Sequence, residues 1–257
     1  MSIFRIWTIA KNGFRETIRD RILYFIGFFA FLQIIALRLL PQIAAATENK
    51  MLVDFGISSI ALIGVIIVVF VGTGLINKEI EKRTVLVLIP KPIDRAELVI
   101  GKHLGLCGVL AVTIASMMVI YLGLLSLSNI GYPLGSLTIA AVFILLQLSL
   151  LTAVAILFGI FTSSTLATLM SIGIFMMGNA SQELVKLGNL SKNVEIQNLT
   201  KIIYTVLPDF SRLNLINDAP YDTLSSTTEL FGNAFYGILY TAVLLVISIV
   251  VFSEKEF

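Results

Sequence analysis

Apolar residues run along this chain in long blocks, near Ile22–Leu40, Ile57–Ile76, Leu104–Leu127, Leu137–Phe161, Leu166–Leu187 and Phe231–Phe252. A helix needs about 20 residues to cross the hydrocarbon of a bilayer, and each block is close to that length or longer. The apolar positions are continuous and do not alternate with polar ones, as they would in the strands of a lipid-facing barrel. The blocks therefore predict six membrane-spanning helices, since a helix satisfies its own backbone inside lipid. An even number of spans returns the chain to the side on which it began.

The stretch before Ile22 has a different rhythm. At about 100° per residue, Ile3, Ile6, Trp7, Ala10, Phe14 and Ile18 share one face, and Arg5, Thr8, Asn12, Arg15, Glu16 and Arg19 share the opposite one. Such a basic, amphipathic helix is expected to lie in the headgroup plane with its cations near anionic lipid. Ala44-Ala45-Ala46 could mimic a signal-cleavage site. However, the apolar block before it exceeds the about 7–15 residues of a signal core, so it is read as a retained span.

Composition agrees and narrows the class. Of 257 residues, 57% are hydrophobic and 13% charged, against about 25% charged in a soluble domain. So little charge cannot clothe a soluble globule, which excludes an ordinary soluble enzyme, a disordered chain and a nucleic-acid binder. The net charge of +2 says little; the placement of the charges says more. Arg5, Lys11, Arg15, Arg19 and Arg21 precede the first span. Lys78, Lys82, Arg83, Lys91, Arg95 and Lys102 lie between the second and third, and Lys255 follows the last. Arg38, Lys50, Lys186, Lys192, Lys201 and Arg212 fall on the other side, mostly in or beside a long loop, where the positive-inside rule counts less. Both termini are thus expected in the cytoplasm.

The cytoplasmic connection Asn77–Lys102 has an internal pattern of its own. A charged stretch, Asn77 to Thr84, leads into the apolar run Val85-Leu86-Val87-Leu88-Ile89, which is too short to span. Pro90 and Pro92 end that run, because each lacks an amide donor and restricts the residue before it. Asp94 is then placed to cap a new helix carrying Arg95, Glu97 and Lys102 into the third span. A loop that only sets topology does not need five consecutive apolar residues, whereas a docking element does. Gly101, Gly105 and Gly108 follow, small residues that let helix backbones approach closely. On the outer side, the segment from Gly188 to Glu229 repeats Ile196, Leu199, Ile203 and Val206 at helical spacing before Pro208, which predicts an interfacial helix.

No Gly-x-x-x-x-Gly-Lys-[Ser/Thr] phosphate loop, His-Glu-x-x-His or Cys-x-x-Cys occurs. The single cysteine, Cys107, and single histidine, His103, cannot build a metal cluster by themselves. No catalytic, cofactor-binding or metal-ligating residue is expected. Charge within the spans is scarce: Arg38 and Glu183 sit near outer ends, and the polar groups at depth are Gln33, Thr113, Ser116, Gln147, Ser149, Thr152, Ser171 and Asn179. A carrier driven by protons or sodium keeps ionisable groups there, so any driving energy is expected from outside the chain.

Taken in order, these parts resemble a family. The loop reads Glu79-Ile80-Glu81-Lys82-Arg83-Thr84, then Pro90-Lys91-Pro92-Ile93-Asp94-Arg95, then Glu97-Leu98 and Gly101-Lys102, and the chain closes on Phe252-Ser253-Glu254-Lys255-Glu256-Phe257. With the amphipathic helix, six spans and a long outer loop, this resembles the permease subunits of ABC-2-type transporters, in the bacterial branch whose ATPase is a separate polypeptide. The resemblance implies an all-α exporter-like membrane domain over residues 1–257. Its parts would be an elbow helix (1–21), a cytoplasmic coupling loop (77–102) and an extracytoplasmic loop (188–230). It also implies a bacterial cytoplasmic membrane, two ATPase subunits holding ATP and Mg, and a second permease half, either identical or a paralogue. Coupling to the ATPase would fall on Glu79, Glu81, Lys82, Arg83, Thr84, Leu86, Pro90, Lys91, Pro92 and Arg95. Connecting-helix contacts would fall on Asn12, Phe14, Arg15, Arg19 and Arg21. The expected cargo is hydrophobic or amphiphilic. The competing expectation is a membrane scaffold that recruits a cytoplasmic complex without transport.

Overall fold

Helix follows helix through the computed structural model, which describes residues 2–18, 22–43, 48–75, 94–191 and 193–254. Helix α1 is Ile3–Thr17, α2 is Leu23–Ile43, and α3 is Glu48–Ile67, running on into a π-helical turn at Val68–Gly72. Helix α4 is Arg95–Leu127, α5 is Leu134–Phe161, α6 is Ser164–Asn179 and α7 is Ser181–Leu190. Helix α8 is Val194–Val206 and α9 is Thr227–Glu254, with short 3-10 turns at Phe210–Leu213 and Ala219–Tyr221 between them. No strand occurs among the described residues.

Five of these helices, α2, α3 with its π turn, α4, α5 and α9, are long and apolar enough to cross a membrane. Helix α5 is the hub. It packs against α4, α6, α9 and the π turn, and every residue from Leu150 to Ile156 is buried. Ile57, Ile60 and Ile67 of α3, Leu106, Leu110 and Met117 of α4, and Leu137, Leu148 and Leu151 of α5 make one continuous core. Helices α2 and α9 lie at the margin, with Phe31 and Ile34 of the one and Phe231 and Phe235 of the other exposed.

The fifth apolar block departs from expectation. It is not one span over Leu166–Leu187: helix α6 stops at Ala180 (φ −91°, ψ 1°) and α7 begins at Ser181. At 1.5 Å per residue the 16 residues of α6 reach about 24 Å, short of the about 30 Å of hydrocarbon. The break has a physical cause. The Pro208 carbonyl and the Phe210 ring press on Gly178, and Ser181 turns its hydroxyl to the Gly178 carbonyl (2.9 Å) and to Asp209 (3.0 Å). The segment beyond α6 forms a helical pair, α7 packed on α8. Helix α8 carries the expected apolar spacing and ends at Leu207, whose extended backbone (ψ 145°) is what a following proline favours.

One contact ties α3 to α4 deep in the core. The Tyr121 ring lies over Gly56, and its hydroxyl donates to the Val53 carbonyl at 2.8 Å. A Cβ at Gly56 would fall inside the ring, whereas nothing lies within 4 Å of a Cβ at Gly123. Gly56→Ala should therefore lower stability by about 1–3 kcal/mol, the usual cost of overpacking, while Gly123→Ala should leave it equal or slightly higher. Thermal unfolding of the two variants in one detergent checks this, and equal midpoints would refute the packing assignment.

Candidate functional site

Helix α4 starts as its sequence dictates. Asp94 is extended, and its Oδ1 accepts from the Ala96 amide at 3.3 Å, capping α4. The next turn carries two charged residues two positions apart, Arg95 and Glu97. Two steps of about 100° place them on nearly opposite sides of the helix, so they reach different partners. The Arg95 guanidinium donates to the Phe252 carbonyl and, at 2.8 Å, to the Ser253 carbonyl, and lies 5.5 Å from the Phe252 ring centroid. A cation there meets the last unsatisfied carbonyls and the negative end of the α9 dipole. Glu97 is 1% exposed. Its Oε1 accepts from the Ser2 amide at 2.6 Å, and Oε2 is 3.8 Å from the Arg5 guanidinium. An acid is favourable at this position, the positive N-terminal end of α1. One turn of α4 thus holds the start of α1 and the end of α9.

Helix α1 runs lengthwise beside α4. Ser2 meets Glu97; beyond it, Ile6 and Ile9 face Gly101, Ala10 faces Gly105, and Phe14 faces Gly108. At Gly105 a Cβ would come within 2.9 Å of the Ala10 carbonyl, so only glycine permits this approach. The small residues therefore serve packing within the chain. Helix α1 is thus packed along the first half of α4. Its apolar face is divided: Ala10 and Gly13 are buried, while Ile3, Phe4 and Trp7 are exposed.

Of the residues assigned to coupling, only Arg95 lies among the described residues, and its side chain is at the end of α9. Glu79, Glu81, Lys82, Arg83, Thr84, Leu86, Pro90, Lys91 and Pro92 lie outside them, as do Arg19 and Arg21. Asn12 and Arg15 are exposed on α1, and Phe14 packs half-buried on α4. The clamp made by Glu97 was not foreseen. Its signal in the sequence was a lone acid two residues after a lone base at a capped helix start.

The polar residues at depth sort into two kinds. Thr113, Ser116, Thr152 and Ser171 each donate to the carbonyl four residues back in their own helix, at 2.7–2.8 Å. Such groups are satisfied locally and mark no path. Others bridge elements. Gln147 donates to Asn179 Oδ1 and to the Phe210 carbonyl, both at 3.3 Å. His103 lies 3.1 Å from the Ser149 carbonyl, with Cys107 Sγ 3.4 Å from Ser149 Oγ. Gln33 is buried, and its Nε2 has no partner among the described residues.

At the opposite end from Arg95 and Glu97, a carboxylate closes the structure. Asp209 accepts from Ser181 Oγ (3.0 Å), Ser211 N (3.1 Å), Ser211 Oγ (2.5 Å), Gln182 Nε2 (3.3 Å) and Arg212 Nε (3.2 Å). Its own amide donates to the Tyr236 hydroxyl at 2.8 Å. Arg212 also donates to the Tyr204 hydroxyl at 2.9 Å and lies 4.9 Å from the Tyr236 ring centroid. Four elements, the α6–α7 junction, α8, the first 3-10 turn and α9, are thereby pinned. Beside the network a cavity of about 530 Å³ opens, lined by Gln182, Arg212, Asn214, Asp218, Glu229 and Asn233.

Burial pushes the Asp209 carboxyl up, but the hydrogen bonds from Ser211, Ser181, Gln182 and Arg212 together outweigh it and hold the group below the usual carboxylate range. A carboxyl held low stabilises the fold above its unfolded pKa, about 3.9, and loses that contribution as pH falls through the folded value. Amide exchange at residues 179–214 should therefore not change between pH 7 and 5 beyond the chemical rate, and protection should fall only below about pH 4. Asp209→Ala leaves several donors unpaired and should cost about 1–3 kcal/mol of local protection at pH 7. Exchange measured by mass spectrometry checks both, and protection lost between pH 6 and 5 would contradict the assignment.

Comparison with known proteins bears on this arrangement. The model of a family described as ABC-2 family transporter protein matches residues 7–257. A comparison with curated proteins gives no match. The match runs from the first helix through the last and takes in the turn of α4 that clamps both. This chain belongs to the ABC-2 transporter family, as a multi-pass membrane permease component of the kind that associates with ABC ATPases.

Proposed function

We propose that the chain is the membrane half of an ATP-driven exporter in a bacterial cytoplasmic membrane, coupled through residues 77–102 to a separate ATPase. The observation that carries this reading is the clamp at the start of α4. The loop leads directly into Asp94, Arg95 and Glu97, so a displacement of the loop is delivered to the N-terminal end of α1 through Ser2 and Arg5 and to the C-terminal end of α9 through Phe252 and Ser253. A π-helical turn at Val68–Gly72 precedes the loop, with the Thr73 carbonyl against Gly159 of α5. Such turns are rare and are found frequently at functional sites. The loop is thus flanked by an irregular helical turn on one side and a clamp on the other.

The chain carries no phosphate loop to hold nucleotide, so ATP and Mg belong to the partner in this reading. Both termini face the cytoplasm, in keeping with the basic N-terminal region and loop, and with the start of α1 and the end of α9 meeting at one end. Two copies, or one copy and a paralogue, complete the path. The polar cavity at the outer end, beside helices with apolar flanks, suits a cargo with a polar and an apolar part.

Two substitutions in the loop test the coupling. Arg83→Glu reverses a charge, and Leu86→Asp places one in the apolar run Val85–Ile89. Each should abolish co-purification of the ATPase with the tagged chain, or reduce it at least tenfold, while Gly123→Ala keeps it. Full ATPase recovery with both loop variants would sink the docking assignment.

A further inference from the structure

Between α1 and α4 lies an open groove of about 460 Å³, within the size range of small-molecule sites. Two stripes at helical spacing form its walls: Trp7, Lys11 and Arg15 on α1, and Leu104, Gly108 and Val112 on α4. Its floor is Ala10 and Gly105, which meet backbone to backbone. Trp7 is 67% exposed, Leu104 48% and Val112 45%, so the groove faces outward. Apart from Lys11 and Arg15 its lining is apolar or glycine.

The geometry points to a site for one anionic phospholipid. The groove has two chemically distinct parts. Lys11 and Arg15, one turn apart, supply two cations at its rim on α1. Along α4 it runs from Leu104 past Gly108 to Val112, further into the span, with no polar side chain. An anionic headgroup with an acyl tail matches both parts: phosphate oxygens meet the cations, and the tail covers the apolar strip. Trp7 lies one turn before Lys11 on the same wall, and indole rings favour the membrane interface. A protein segment would need an acidic group next to an apolar stretch buried at the membrane surface, whereas the bilayer already presents that combination along the whole helix pair. The site is separate from the loop and does not depend on how ATP is used.

Trp7 is the single tryptophan of the chain, so it reports on the groove directly. The full chain is reconstituted in phosphatidylcholine vesicles containing phosphatidylglycerol brominated on its acyl chains, or phosphatidylcholine brominated likewise at the same mole fraction. Trp7 emission should be quenched with a preference for the anionic lipid of about fivefold per cation. Lys11→Ala with Arg15→Ala should remove the preference while quenching by brominated phosphatidylcholine persists, showing that the protein is still inserted. Val112→Phe, which fills the apolar end and keeps both cations, should also reduce it. Equal quenching by the two lipids overturns the proposal. A preference that survives the double substitution overturns it too, because other cations would then be responsible. A preference untouched by Val112→Phe means surface charge alone and no seated lipid. Emission that follows the protein-to-lipid ratio and ignores the brominated lipid means a second copy fills the groove, which likewise overturns it.

Discussion

Hydrocarbon offers a polar atom no hydrogen-bond partner, and the whole architecture follows from that constraint. It explains why the described residues are helical, and why Thr113, Thr152 and Ser171 fold their hydroxyls back onto their own helices. It also explains why the one deep tyrosine, Tyr121, is aimed at the Val53 carbonyl. The constraint is most visible where a helix breaks. Ending α6 at Asn179 frees backbone and side-chain groups that lipid could not satisfy. The chain answers by bringing residues 207–214 back onto the break, so that Asn179, Ser181 and Gln182 find Gln147, Asn214 and Asp209. The short sixth helix and the returning outer segment are therefore one feature.

At the other end the same rule takes an electrostatic form. The first amides of a helix have no partner within it, and its C-terminal end carries negative partial charge. Glu97 meets the former on α1 and Arg95 the latter on α9, from a single turn, because a spacing of two residues turns them to opposite sides of α4. The 33 residues of α4 extend about 50 Å, well past the about 30 Å a span requires, and α1 is fastened along its first half.

Much of this was legible beforehand. The apolar blocks marked the spans, the Asp94 cap and the Pro208 stop held, and the glycines at 101, 105 and 108 showed where another helix could come close. What could not be read was which helix came close. A glycine records the closeness of a contact and not its partner. The fifth block also misled. Leu166–Leu187 is apolar only as far as Gly178; Asn179, Ser181, Gln182 and Glu183 interrupt it, a polar run that the length of the block masked, and Pro208 and Asp209, almost thirty residues further on, meet it there. The partner of Glu97 could not be read because an acid in the first turn of a helix already has a local explanation in the helix dipole, and nothing local reveals that it serves a second helix.

The two ends are held in different ways, and the difference has a mechanical consequence. At the Asp209 end a buried carboxylate gathers five donors from two segments, the start of α7 and the first 3-10 turn. To open that network, several short hydrogen bonds must be lost together with a charge that water does not reach, which is costly. At the loop-side end a second buried carboxylate, Glu97, holds the Ser2 amide at 2.6 Å, and the contacts within reach of water and salt are the outlying ones, Arg95 to Ser253 and the half-exposed Arg5. Movement imposed on the bundle should loosen the exposed contact at the end of α9 first, while the start of α1 stays with α4 through Glu97. In the proposed coupling, a shift at the start of α4 therefore carries α1 with it as one body, and the long helices α4 and α9 connect that turn to the Asp209 network at the opposite end.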